Sequence, residues 1–442
     1  MSRTKCDDGA RRATVPTRSG TAPTCRETLR ASGLFFWAAG LAACGGGEAP
    51  AADAAEALRQ PEVHPGVELL LSDSLHLVAG RRVGLITNQT GIDRERRSSI
   101  DRLAEHPAFE LVALYAPEHG IRGDQGEGIL IDDEVDTRTG LPVHSIYGQT
   151  LAPTPEMLEG VDVLLFDMQD IGARYYTYVS TMAYSMRAAG DAGIPFIVLD
   201  RPNPIRGDVT QGNVLDPDFA TFVGMFPVPM RHGMTPGELA RLYVGEFGID
   251  VDLAVVPVEG WSRSSTVADT GLPWVAPSPN MPSLESALAY PGTCLFEGTP
   301  LSVGRGTDRA FQWVGAPWLD GEALAAALNG YGIAGVRFEA ATFTPTRPSD
   351  GKFDGIEVRG VRLVAASTDY DAPRAAVAML VEAHRASGDA WSWNVAHIDR
   401  LAGTAALRLG IDAGQDVGAL TAGWSDAIRD FERLRAPYLI YR

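Results

Sequence analysis

Lysine is almost missing from this 442-residue chain. Only Lys5 and Lys352 occur, so nearly all positive charge is arginine, and a mechanism that needs a catalytic lysine has almost no candidate. Cysteine is scarce as well, at four. Cys6 and Cys25 fall in an N-terminal leader and Cys44 directly after it in a lipidation-type sequence, which leaves Cys294 alone and predicts no disulfide. Positive charge is short overall: 38 Lys and Arg stand against 56 Asp and Glu, for a net charge of −18. Residues 1–43 themselves carry +4, so the remainder stands at −22. So acidic a surface excludes nucleic acid as the expected partner.

Motifs are absent in an informative way. There is no G-x-x-x-x-G-K-[ST], and no G-x-G-x-x-G opens a helix after the first strand, so neither nucleotide phosphates nor a dinucleotide is expected. There is no G-x-S-x-G elbow, no H-E-x-x-H and no C-x-x-C. Glu118, His119 and Asp124 match no metal-ligand spacing, so no metal and no cofactor are expected. One short apolar run, "GLFFWAAGLAACGGG" at 33–47, is too brief to span a membrane and reads as the core of a signal peptide. It closes on Leu41-Ala42-Ala43-Cys44, which resembles a bacterial lipobox. That resemblance implies cleavage before Cys44, lipid on its sulfur, and an extracytoplasmic, membrane-anchored lipoprotein of the periplasm or cell surface. Residues 1–43 are then signal peptide and 44–62, rich in Gly, Ala and Pro, a flexible tether.

What is present is alternation. "RRVGLITN", "FELVALYAPEHG", "VDVLLFDMQD", "IPFIVLDRPNP" and "VDLAVVPVEG" read as strands. Between them, "SSIDRLAEHP", "TPEMLEG", "TYVSTMAYSMRAAGDAG" and "TPGELARLYVGEFG" read as helices. The pattern predicts an α/β domain over 63–260, with a parallel sheet covered on both faces. Residues 261–442 predict a smaller α+β domain packed against the first. There, 278–318 reads as long loops, "DGEALAAALNG" and "PRAAVAMLVEAHRAS" as helices, and "GVRFEAATFTPT", "GIEVRGVRLVA" and "APYLIYR" as strands.

Open parallel sheets bind ligands beyond the carboxyl ends of their strands. Four strands here end in polar clusters: Thr87-Asn88-Gln89, Glu118-His119, Asp167 with Gln169 and Asp170, and Asp200-Arg201 with Asn203. Carboxylates that accompany aromatics and arginines suit glycoside hydrolysis, in which one carboxyl protonates the leaving oxygen. Glu118, beside Pro117 at a buried strand end, has the best claim to the burial that a general acid needs. Tyr175, Tyr176 and Trp313 are candidate sugar platforms. Arg122, Arg174, Arg201, Arg231 and Arg305 suit an anionic ligand.

Taken together, "YAPEHGIRGDQGEG", "DTRTGLPVHSIYG", "LLFDMQDIGARYYTYVSTM", "LDRPNPI", "PVPMRHGMTPGELA", "PSPNMPS", "YPGTCLFEGTPLSVGRGTDRAF" and "GAPW" resemble the NamZ-type exo-β-N-acetylmuramidases, over about residues 65–442. The resemblance implies a Rossmann-like domain, a smaller C-terminal domain and a site between them. It also implies release of N-acetylmuramic acid from the non-reducing ends of peptidoglycan fragments. The family's strand-end glutamate falls on Glu118. Asp167 or Asp170 is then either an orienting residue in a substrate-assisted route or a second catalytic carboxylate. Expected substrate contacts are Asn88, His119, Arg122, Gln169, Arg174, Tyr175, Arg201, Asn203, Arg231, His232, Asn280, Glu297, Arg305 and Asp308. The usual acid of the family's "DRPFE" is Gln312 here. Rival readings are a non-catalytic muropeptide-binding lipoprotein and another hydrolase, an esterase or an amidase.

Overall fold

The computed structural model describes residues 62–123 and 133–442; the leader, Cys44 and the 124–132 segment with Asp124 and Glu127 lie outside them. The described residues open with α1 (Gly66–Leu70) and then build β1 (Arg82–Thr87), α2 (Ser99–Ala104), β2 (Glu110–Ala116), β3 (Glu134–Val135), β4 (Pro142–Ser145), β5 (Val163–Asp167), α3 (Tyr178–Asp191) and β6 (Phe196–Leu199). A β7 (Gln211–Val214) and β8 (Pro229–Arg231) ribbon follows, then α4 (Pro236–Glu246) and β9 (Leu253–Val256). Seven strands form one sheet in the order β3-β4-β2-β1-β5-β6-β9, with only β3 antiparallel. From β1 the chain works outward one way, then returns to β5 and works outward the other way, which is the Rossmann order.

Local chemistry explains the elements. β5 reads Val-Leu-Leu-Phe-Asp with every residue buried. Leu164 and Phe166 enter the core on one face, Val163 and Leu165 the core on the other, as a sheet covered on both sides requires. Ser98 caps α2 by accepting from the Ile100 amide. Thr235 and Glu238 form a reciprocal capping box at α4, with Pro236 in its first turn.

The second half adds α5 (Leu284–Thr293), β10 (Trp313–Ala316), α6 (Gly321–Gly330), β11 (Val336–Phe343), β12 (Val358–Ala365) and α7 (Ala372–Ser387). The strands make an antiparallel sheet in the order β10-β12-β11. Then come α8 (Val395–Ala402), α9 (Ala406–Asp412), α10 (Val417–Thr421) and α11 (Trp424–Arg435). The tail returns to the first sheet: Arg435 donates to the His232 and Gly233 carbonyls, and the Tyr441 hydroxyl donates to Asp200 at 2.6 Å. Trp261, at the expected boundary, packs with Val63, Val258 and Tyr441. No helix among the described residues is long and apolar enough to cross a membrane.

Three local expectations fail. "TPEMLEG" forms turns, because so short a segment buries little beyond Leu158. The 278–318 stretch holds a ten-residue helix whose Pro291 sits inside it; the Pro-Gly pair mimicked a stop. "YLIYR" joins no ladder, and the helix before it, α11, had gone unread because its residues are largely polar, with Phe431 its buried apolar anchor.

Candidate active site

The peptide leaving β2 turns at once. The Gly120 amide donates to the Pro117 carbonyl at 3.1 Å, and His119 takes φ +75°, the left-handed region. Such a conformation is costly for a side chain larger than Gly and concentrates at functional sites. The turn swings Glu118 off the sheet into a cavity of about 220 Å3. Its walls come from the ends of β2 and β4 (Glu118, His119, Tyr147), from the entry to α3 (Tyr175, Tyr176, Thr177, Tyr178) and from the second half of the chain (Ser278, Met281, Tyr290, Cys294, Glu297, Arg305, Phe311, His397, Arg400).

Glu118 is held at both oxygens. The Tyr147 hydroxyl donates to Oε1 at 3.0 Å and the Thr177 hydroxyl to Oε2 at 3.1 Å. Much of the remaining wall is aromatic: Tyr290 meets Tyr176 edge-on at 5.8 Å and Phe311 edge-on at 4.6 Å. Burial pushes the Tyr175, Tyr176 and Tyr290 hydroxyls well above the usual phenol range, so they are neutral. Burial likewise pushes the Cys294 thiol well up, with nearby Glu297 adding to it, so this cysteine is no thiolate nucleophile. Glu297 itself accepts from Arg305 Nε at 2.8 Å, and the Arg305 guanidinium lies over the Phe311 ring at 5.1 Å. An open groove of about 370 Å3 shares Glu297, Arg305 and His397 with the cavity and adds Ser349, Asp350, Lys352 and Asn394.

Two family models cover most of the chain. One, described as exo-beta-N-acetylmuramidase NamZ, N-terminal, matches residues 83–285; its C-terminal counterpart matches 288–441. The chain belongs to the NamZ family. Among NamZ relatives, it is 44% identical over 385 residues to the peptidoglycan beta-N-acetylmuramidase NamZ of Bacillus subtilis (strain 168), spanning 87% of this chain and 92% of that one. Two crystal structures of DUF1343 family proteins from Bacteroides fragilis NCTC 9343 share the fold. One superposes with a TM-score of 0.80 at 36% identity over 87% of this chain and all of that one; the other scores 0.69 at 29% identity over 86% and 99%.

Within this NamZ fold the expected site residues divide sharply. Glu118, His119, Tyr175, Glu297 and Arg305 line the cavity. Asn280 stands near its rim, donating to Ser349 Oγ, which also accepts from Arg305. The others do not line it. Asp167 is fully buried, paired with Arg201 Nε at 2.6 Å and accepting from Ser99. Together with Gln169, whose amide donates to the Asp170 and Pro202 carbonyls, this pair plugs the crevice between β1 and β5. Only about 20 Å3 of space remains there. The Rossmann switch point is thus closed by structural charge, and the open site is displaced toward β2 and β4.

Asp170 is buried too; it accepts from the Gly172 amide at 2.7 Å and faces His232 Nε2 at 3.5 Å, shaping the loop that carries Tyr175. Asn88 accepts from the Thr90 amide and hydroxyl, and Asn203 bridges the Met234 carbonyl and the Ile205 amide. Arg174 spends its guanidinium on the carbonyls of Asn213, Val228, Leu401 and Ala402, clamping α8 onto the β7–β8 ribbon. Arg231 is spent on the Ile205 and Thr368 carbonyls and on Gln211. Arg122 grips Asp136 at 2.9 Å, Asp308 is exposed, and Gln312 binds Ser286 inside the fold. Trp313 packs at a tilt against Phe343 and does not line the cavity.

Tyr147, Thr177, His397 and Arg400 were missed. Tyr147 lay in a motif quoted for its family likeness. His397 and Arg400 sit on α8, whose Asn394 cap and Gly403 stop mark a helix but no functional motif.

Proposed function

We infer that the protein is a glycoside hydrolase, an exo-acting β-N-acetylmuramidase that releases N-acetylmuramic acid from the non-reducing ends of peptidoglycan fragments. Membership of the NamZ family supports the activity. The observation that carries the chemistry is Glu118, presented by a strained turn and held by Tyr147 and Thr177 at the cavity wall. Two carboxylates line the cavity among the described residues, and Glu297 is neutralised by Arg305. Glu118 is therefore assigned as the acid that protonates the leaving oxygen; either hydroxyl can turn to accept from it once it carries the proton. The 2-acetamido group of the substrate is the internal nucleophile in this reading, as in substrate-assisted glycosidases. The cavity volume is below the roughly 300–1,000 Å3 usual for drug-sized ligands, which suits one sugar, with the adjoining groove taking the departing portion. Cleavage of a chromogenic β-N-acetylmuramic acid glycoside, lost in Glu118→Gln, tests the assignment.

A lipid anchor at Cys44 completes the reading. It rests on the Leu41-Ala42-Ala43-Cys44 sequence behind an apolar run, and would hold the enzyme outside the cytoplasm, beside the wall.

A further inference from the structure

N-acetylmuramic acid differs from N-acetylglucosamine by a lactyl ether that ends in a carboxylate. A cavity that selects it needs a cation with nothing acidic already attached. Arg305 is taken by Glu297. Lys352 sits in the adjoining groove, but its ammonium is spent on the Thr299 and Leu301 carbonyls at 2.9 and 3.0 Å. Arg174, Arg201 and Arg231 are buried away from the cavity.

Arg400 is different. It lines the cavity from α8 and forms no salt bridge among the described residues. Its Nη2 bonds His397 Nδ1 at 2.5 Å, and its Nε is buried without a hydrogen-bond partner among the described residues. Because a guanidinium can only donate, His397 Nδ1 is the acceptor, and its ring hydrogen lies on Nε2. Burial and the adjacent Arg400 charge lower the His397 pKa, which keeps the ring neutral. One half-buried guanidinium edge and one imidazole N–H thus stand on the same wall.

We propose that Arg400, oriented by His397, is the specificity-determining receptor for the lactyl carboxylate of the substrate. The geometry matches the chemistry, since a planar guanidinium recognises a carboxylate through paired N–H donors. The proposal rests on the muramidase reading above, and binding of the free sugar separates the two.

The test compares free N-acetylmuramic acid with its lactyl methyl ester, by calorimetry, in the full chain and in Arg400→Gln and Arg400→Lys. The wild type should prefer the acid by on the order of 10- to 100-fold, the worth of a charge-assisted hydrogen bond. Arg400→Gln should bring acid and ester level, while Arg400→Lys, which keeps a cation, retains part of the preference. A wild-type ratio preserved in Arg400→Gln overturns the proposal, as does a wild type without preference, or an Arg400→Lys ratio no greater than that of Arg400→Gln. A wild type that shows the Arg400-dependent preference but cleaves no muramic acid glycoside sinks the muramidase reading and leaves the receptor standing.

Discussion

Tyr147 donates its hydroxyl to Glu118 Oε1 at 3.0 Å, joining the ends of two neighbouring parallel strands across 29 residues of sequence. That contact holds the carboxyl in one orientation. Glu118→Gln preserves shape and removes the transferable proton, so kcat should fall roughly 10²–10⁴-fold with the melting temperature unchanged. Activity on a β-N-acetylmuramic acid glycoside within threefold of the parent would sink the assignment.

Tyr147→Phe keeps the ring and deletes one donor. Loss of a hydrogen bond to a charged group should lower kcat/KM by about tenfold. Thr177→Val on the other oxygen should act in the same direction, and the double variant should fall short of the summed effect if both hydroxyls hold the same carboxyl. Steady-state kinetics on the three variants measures this.

Asp167 tests the opposite role. Asp167→Asn leaves the buried Arg201 without its counter-charge, a change expected to cost about 3–5 kcal/mol of stability. Chemical denaturation should show that loss, while turnover by the folded fraction stays within threefold. A drop in kcat of a hundredfold with normal stability would restore Asp167 to the chemistry.

Asp200 makes stability depend on pH. Burial raises its carboxyl to about 6, against hydrogen bonds from Tyr441, Thr235 and the Gly237 amide that pull it down. Its unfolded value is near 3.9. Between these values the native state holds the proton more tightly than the unfolded chain. The associated stability, on the order of 3 kcal/mol, is therefore full below about pH 4 and lost as pH rises through about 6. Melting temperature against pH should slope downward over this window in the wild type and more weakly in Asp200→Asn. Equal slopes would show that the carboxyl is not linked to folding.

Cys44→Ser tests the anchor. The wild type, expressed in a bacterium, should fractionate with membranes and yield to detergent, not to salt, because stable attachment takes more than one acyl chain. The variant should remain an unlipidated precursor or become soluble, and a chain lacking residues 1–44 should keep its activity. A soluble wild type with residue 44 unmodified by mass spectrometry would replace the lipoprotein with an ordinary secreted enzyme.

Much of the fold was legible because its signals are local. A short apolar run such as Val163–Phe166, too brief for a helix, reads as a buried strand, and Thr235 with Glu238 announces a helix start before any neighbour is known. Glu118 was legible for a related reason: a strand that runs into Pro-Glu-His-Gly must leave the sheet abruptly, which frees the glutamate from the core. The polar strand ends, taken alike in the sequence, were not alike. Asp167 ends β5 and Arg201 lies two residues beyond the adjacent β6, where the strand register lets them neutralise each other, and composition carries no register.

Sequence by itself determined the alternation of strands and helices, the carboxylate beyond β2 and the family, because each is written in contiguous residues. Only the tertiary structure decided which arginines are free to meet a ligand. Arg174, Arg201, Arg231 and Arg305 carry the same side chain as Arg400, yet each is spent on a carbonyl or carboxylate that folding brings beside it. A charge's availability depends on what packs beside it, and that is settled by folding, not by the residue's identity.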